Sequence, residues 1–500
     1  MKSRVTERLA EGPAQEIVDC LYAPEINADF APMFPYMTAV NKAHVLMLAR
    51  QAVITKPAAR KLLRAILALE RRGPESVALD RSLEDIYFNY ERAVIALAGP
   101  EIGGQMHTGR SRNDLNATLA RLRTRDLVLK FLASLFEARR AALAQAKRCA
   151  DVVMSGYTHL QPAQPTTFGH YLLGVAAALE RDTDRVTGGY PVTNRCPLGA
   201  AAMTGTTFPI DRAYTCRLLG FDGLVEHTQD AVASRDFALQ LLAAWAVFGL
   251  TCSRLAQDFH VWFTPELGLI DFPDRVAGTS SIMPQKKNPV VLEHLKGKAS
   301  ALVAGFAWAA SSVKNTHFTN VIDANHECAD ALWRATNVAE TCTVLLRLSL
   351  STVLPRASLM LERARQNFCT ATDLADACVR HGGMPFRQAH HVVGAVVREA
   401  IRRGLSSDRI GSRLVDEVAR KVLGRPAGLA ESVVKQALDP VRSVRARNTI
   451  GGPGPRQVRR MAREGERRLA SEERAHAARK AKLARARRGL DEAVKALLGA

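Results

Sequence analysis

Four long stretches repeat their apolar residues at helical spacing: "NDLNATLARLRTRDLVLKFLASLFEARRAALAQAKRCADVV", "FGHYLLGVAAALERDTDRV", "DFALQLLAAWAVFGLTCSRLAQDFHVWF" and "VVLEHLKGKASALVAGFAWAASSV", all between about residues 113 and 360. At roughly 1.5 Å of rise per residue, such helices run well past the usual globular length. An apolar stripe that long needs covering along its whole course. A long helical bundle, shared between subunits, is the natural solution. Composition supports this: 47% of residues are hydrophobic but only 6% aromatic, a balance that favours helices over sandwiches and barrels. Convincing alternating strand patterns are few. Nearer the N-terminus, "AHVLMLARQAVITKPAARKLLRAILALERRG" reads as a helix, a turn near Lys56 and Pro57, and a second helix. The expected fold class is all-α.

Several function classes recede on the same evidence. The first residues, "MKSRVTERLAEGPAQ", lack the apolar run of a secretory signal. "FALQLLAAWAVFGLTCSRLA" (237 to 256) comes nearest to a membrane span, but Gln240, Thr251, Ser253 and Arg254 make a buried helix the better reading. A cytoplasmic protein with no membrane partner is expected. Nine cysteines show no CxxC pair, so reduced, buried thiols are expected. The pair His390-His391 has no acidic or thiol partner at ligand spacing, and no metal is expected. Net charge is +20, yet residues 456 to 495 hold 14 Lys and Arg against 6 Asp and Glu and supply +8 of it. This Ala-rich stretch follows the breaker "GGPGP" (451 to 455) and reads as a basic helical appendix with a solvated face, the other reading being contact with an acidic partner or polyanion. Nucleic acid is not the expected partner.

Three polar clusters interrupt the apolar pattern. "HTGRSRND" (107 to 114) offers Ser111, Arg112 and Asn113 at a helix start, where a guanidinium and backbone N–H groups can take a carboxylate; a helix cap with solvated arginines explains it as well. "GYTHLQPAQPTTFGHYLL" (156 to 173) sets Thr158 and His159 between helices, where the imidazole is either a proton carrier or a satisfied structural residue. "GTSSIMPQKKNP" (278 to 289) is kept a loop by its prolines and presents Ser280, Ser281, Lys287 and Asn288 together. Neutral and cationic groups in three distant clusters point jointly to one di-acid site assembled by folding.

The last of these resembles the signature loop of the fumarase/aspartase superfamily. "HTGRSRND", "GYTHLQPAQP", "SRDF" (234 to 237), "ATDLADACVRHGGMPFRQAHHVVG" (371 to 394) and "GGPGP" resemble its argininosuccinate lyase branch, from about residue 15 to 460. The resemblance implies a carbon–nitrogen lyase that eliminates an amine β to a carboxylate and releases fumarate reversibly. It implies Ser281 as the base, Lys287 and Asn288 on the carboxylate that takes up negative charge, and His159, oriented by Glu293, at the departing nitrogen. Ser111, Arg112 and Asn113, helped by Thr158 and Ser280, would bind the succinyl carboxylates. A homotetramer whose sites draw on three subunits is implied, with a helical domain to residue 106, a bundle domain over 107 to 360, a C-terminal helical domain over 361 to 460 and the basic tail beyond.

On the amine side the pattern departs. The family's tyrosine, glutamine and lysine that grip the arginine part of argininosuccinate fall on Asn320, Asn325 and Cys328, its aspartate after "KKNP" is Val290, and its histidine in "EDIYFNYE" (84 to 91) is Tyr87. Thr279 stands where the loop usually has glycine. With the amine pocket made neutral and roomier by Val290 and Asn320, the expected substrate is an N-substituted aspartate of the aminopolycarboxylate kind, such as ethylenediaminedisuccinate. Argininosuccinate is the first alternative, and a catalytically silent structural or polyanion-binding homologue is the alternative of another class.

Overall fold

The computed structural model describes Arg8 and residues 11 to 499. The N-terminal helices are α1 (Ala23–Arg50), α2 (Lys56–Arg72) and α3 (Ile86–Ala98); Thr55 and Asp85 cap the latter two by accepting from the N–H groups of Ala58 and Phe88. The bundle follows as α4 (Arg112–Arg148), α5 (Phe168–Thr193), α6 (Asp236–Phe263), α7 (Val290–Val313) and α8 (Ile322–Thr352). The four long stretches are helical, as their periodicity requires, except that the first ends at Arg148, ahead of its last five residues. The turn expected near Lys56 and Pro57 lies just ahead of them, because proline is accommodated in the first turn of α2.

Packing shows why these helices stay together. Trp245 of α6 is fully buried, and Phe131 of α4 meets it and Phe248 edge-on, with ring centroids 5.8 and 5.3 Å apart. Such pairs add about 0.5–1.5 kcal/mol each beyond their buried area. The apolar helix α6 thus spends its buried face inside the bundle, although by length and composition it could cross a membrane. Where α5 starts, Gly169 lies so close to the end of α4 that a Cβ would sit 2.5 Å from the Ala146 carbonyl oxygen, so only glycine permits the contact.

One feature escaped the periodicity argument. Val153–Thr158 (β1) and Gln161–Thr167 (β2) pair antiparallel as a hairpin closed by His159 and Leu160, both at positive φ (53° and 57°). The two prolines of β2 obscure its strand character, since proline cannot donate to a ladder.

A single apolar core runs from Ile26 through the bundle to Met360 and takes in Val458, Leu469, Leu483 and Leu490. A second core, with Leu374, Val392, Val396, Val415 and Val418, belongs to α9 (Ala371–Gly382), α10 (Phe386–Arg402) and α11 (Ser412–Leu423). The last helix, α12 (Pro455–Leu498), is continuous, so a boundary at 460/461 falls inside it.

Helix α12 is packed against the bundle along one face and keeps the expected solvated face on the other, so it is part of the core and not an appendix. Ala462, Leu469, His476, Leu483 and Leu490 recur every seventh residue and are all buried, the spacing of a helix–helix seam. Four of its fourteen cations pair with acids elsewhere in the chain: Arg468 with Glu180 and Asp184 (2.8 and 2.6 Å), Arg487 with Asp126 (2.6 Å), Arg459 with Asp151 and Lys482 with Asp222. Its acids do the same, with Glu472 on buried Arg139 and Asp491 on buried Lys42. The cysteines are all free and eight are buried; Cys20 is exposed, which corrects the expectation for that one thiol.

Candidate active site

Ser111 caps α4. Its hydroxyl accepts from the Asn113 N–H (3.2 Å), while the Asp114 carboxylate accepts from the Ser111 N–H (3.1 Å). Asp114 is fully buried and also accepts from the N–H groups of Gly199 (2.8 Å) and Ala201 (2.9 Å), so the start of α4 and the 199–201 turn hold each other. Beneath the cluster, Tyr87 contributes its hydroxyl to a network with Arg110 (2.6 Å), His107 (3.1 Å) and Glu91 (3.1 Å). Burial raises the Tyr87 phenol, so it stays protonated. Tyr87 therefore braces the segment leading to Ser111.

Arg112 differs from expectation. Its guanidinium is engaged by Glu84 (2.8 Å) and Asp85 (3.1 Å) and lies 4.3 Å over the Phe88 ring. A carboxylate arriving here has to share or displace those partners. Asn113 donates to the Ala202 carbonyl (3.0 Å), tying it to the same 199–203 loop.

At the hairpin tip Thr158 and His159 are exposed. Two consecutive non-glycine residues at positive φ carry backbone strain, which sets the imidazole outward beside Leu160, itself 74% exposed.

The signature loop is fixed at its stem and free at its apex. Gly278 and Asn288 exchange backbone hydrogen bonds of 2.8 and 2.9 Å, and the Asn288 side chain donates to the Thr279 carbonyl (3.1 Å). A Cβ on Gly278 would lie 2.4 Å from Cγ1 of Val290, so Val290 packs on the stem. Ser280 is used locally, its hydroxyl accepting from the N–H groups of Met283 (3.0 Å) and Ile282 (3.3 Å). Ser281 is exposed and its hydroxyl makes no hydrogen bond among the described residues. Lys287 meets Asp271 (3.2 Å), Asp274 (3.1 Å) and the Phe272 carbonyl. Burial opposes its charge, but the hydrogen bonds to Asp274 and Asp271 outweigh that and raise the ammonium above its ordinary range. Glu293, in the first turn of α7, is exposed.

Within one chain these clusters stay separate. No hydrogen bond or ion pair joins the loop, the hairpin tip and the start of α4 among the described residues, and His159 is not bonded to Glu293. The amine-side positions do come together: Asn325 donates to Asn320 (2.5 Å) and accepts from Arg235, with Cys328 buried one turn along α8. Met203 sits 3.8 Å from the Thr319 hydroxyl, so the 199–203 loop links Asn113 to this group. Sequence reasoning missed Arg235 and also His326, which pairs with Glu25 at 3.0 Å; their chain separation hid both. The hydrogen bond from Glu25 raises the His326 imidazole above its ordinary value.

Residues 36–304 match the Lyase family, and residues 368–445 match the argininosuccinate lyase C-terminal family. Argininosuccinate lyase 1 of Shouchella clausii is 40% identical over 93% of this chain and 93% of its own. This chain belongs to the fumarase/aspartase superfamily, in its argininosuccinate lyase branch. A solved structure of an EDDS lyase variant with bound fumarate superposes with a TM-score of 0.88 at 31% identity, over 98% of this chain and 97% of that one. A 3-carboxy-cis,cis-muconate lactonizing enzyme from Pseudomonas putida, 19% identical, shares the fold (TM-score 0.70, covering 91% and 99%). The lyase thus has the all-α, three-domain fold of its superfamily, and it is a carbon–nitrogen lyase rather than a silent scaffold. Among its described residues no three His, Cys, Asp or Glu side chains come together as a metal site.

Proposed function

We propose that this lyase eliminates an amine from an N-substituted L-aspartate and releases fumarate, reversibly, with an aminopolycarboxylate such as ethylenediaminedisuccinate as substrate. The observation that carries this is the signature loop, whose stem is anchored by Lys287 and the Gly278–Asn288 bridge while Ser281 at its apex is left exposed and unbonded among the described residues. Ser281 takes the C–H proton, and Lys287 with Asn288 stabilises the aci-carboxylate as charge develops. Arg112, Asn113, Ser111, Thr158 and Ser280 bind the succinyl carboxylates. His159, steered by Glu293, protonates the departing nitrogen. Asn320 and Val290 shape the amine side, and no cofactor takes part.

These residues complete one site only across subunits of a homotetramer. Supporting this, Leu160 at the hairpin tip and Ile282 at the loop apex leave large apolar side chains 74% and 83% exposed in the single chain, as surfaces awaiting a partner do. The proposed setting is cytoplasmic, with a small di- or polycarboxylate as the only ligand.

Fumarate absorbance, followed with argininosuccinate and with ethylenediaminedisuccinate at equal enzyme, tests the reading. Release from the second alone supports it. Rapid release from argininosuccinate, the reaction named for the 40% identical relative, makes that the substrate instead. Release from neither refutes the proposed chemistry for this amine class.

A further inference from the structure

Lys287 has no donor to spare. An ammonium carries three N–H groups, and three acceptors surround this one: Asp271 at 3.2 Å, Asp274 at 3.1 Å and the Phe272 carbonyl. A substrate carboxylate therefore reaches Lys287 only by replacing one of them. The Phe272 carbonyl belongs to the backbone, which leaves the two acids.

These acids are held very differently. Asp271 lies in the short strand Ile270–Asp271, paired with Leu354–Pro355, and its carboxylate also accepts from the Phe272 N–H (2.8 Å) and from Arg356 (3.1 Å). The Asp274 side chain is 98% exposed, and its carboxylate makes no hydrogen bond or ion pair besides that to Lys287 among the described residues. An acid so exposed keeps nearly all of its hydration while paired, so it gives up little on turning back to water. An incoming carboxylate in its place leaves Lys287 with the same counter-charge, and the ammonium is never uncompensated. The start of α4 repeats this division. Arg112 meets Asp85, which also caps α3, and Glu84, whose carboxylate makes no other hydrogen bond or ion pair among the described residues.

We infer that Asp274 is an exchangeable counter-ion of Lys287, an internal occupant of the place that a substrate carboxylate takes, and that Asp271 is the positioning residue that keeps the ammonium aimed during the exchange. The contact is autoinhibitory, since Asp274 competes with every dicarboxylate that enters the site. Because the Asp271 and Phe272 contacts persist, the stem of the loop stays anchored throughout. This rests on the part given to Lys287 in the proposed elimination and deepens it.

The test measures fumarate binding to the full-length enzyme by calorimetry, beside steady-state kinetics with ethylenediaminedisuccinate and argininosuccinate. Asp274→Asn should tighten fumarate binding and lower KM by about 2- to 5-fold, the range that an exposed ion pair commands, with kcat unchanged. Asp274→Glu restores the carboxylate and should return both toward wild type. Asp271→Asn should act in the opposite sense, weakening fumarate binding and lowering kcat. A merely structural part for Asp274 would not tighten binding. Fumarate affinity and KM that do not improve in Asp274→Asn, or that worsen as in Asp271→Asn, overturn the inference. KM alone decides if calorimetry detects no fumarate. Should Asp274→Asn fold poorly, Asp274→Ser removes the same charge and decides. Tighter fumarate binding by Asp274→Asn with no fumarate released from either substrate refutes the elimination and leaves the exchange standing. Fumarate release with an affinity and KM unmoved by Asp274→Asn refutes the exchange and leaves the elimination; neither binding nor release in the wild type refutes both.

Discussion

Helix α12 and the signature loop are opposite solutions to presenting cations. In α12 a heptad of buried side chains fixes the helix, and Arg468 and Arg487 beside it pair with acids on neighbouring helices. In the loop almost nothing is buried; a two-residue bridge and the Lys287 contacts hold the stem, and the apex is left to solvent. Ion pairs beside the α12 seam serve the fold, whereas in the loop the ion pairs of Lys287 fix the stem and leave the Ser281 hydroxyl at the apex free for a ligand. The same residue types therefore carry different meanings, set by whether an apolar stripe runs beside them.

The comparison can be broken at its strongest point by ending the chain at Gly454. Loss of α12 strips a cover from the common core, and the expected outcome is insoluble protein; a soluble product with intact helical circular dichroism would show α12 to be the appendix it first resembled. Next in size, Ser281→Ala should lower fumarate release by about 10²–10⁴-fold with an unchanged Tm, because its hydroxyl supports nothing in the fold. A Tm loss of several degrees would give the loop a structural part. Leu483→Ala, in the α12 seam, should show the converse: about 2–5 kcal/mol of lost stability by denaturant titration, with kcat retained per folded enzyme.

The smallest effects separate two histidines by sign. His326, raised by Glu25, contributes stability that is full below the ordinary imidazole value of about 6.5 and is lost as pH rises through its raised folded value. His476 sits in the α12 seam with both ring nitrogens unbonded and one face against Phe136. Burial, then Lys480 and Arg479, depress it. The unfolded chain takes up that proton first, so stability falls as pH drops through about 6.5. Stability profiles of His326→Gln and His476→Leu should flatten on opposite sides of that pH; a matching change in both would refute the assignment.

Much of the fold was legible because long 3.6-residue periodicity survives any context. The hairpin at 153–167 was not, since its prolines and strained His159-Leu160 turn depend on packing that no local pattern records. In α12 the high density of Arg and Lys outweighed an apolar residue every seventh position, which marks a seam only once a facing helix is known. The chemistry-bearing clusters were legible one by one, because hydroxyls, amides and cations grouped between helices have few other uses.

By itself, then, the sequence determined the helical class, the loop that carries Ser280, Ser281, Lys287 and Asn288, and the family. Tertiary structure alone decided what each cation is for. Arg112 meets Glu84 and Asp85, and Arg468 and Arg487 of α12 meet acids on the bundle, while Arg235 meets only neutral groups. The physical reason is that a charge is defined by its partners, and those partners come from helices tens to hundreds of residues away.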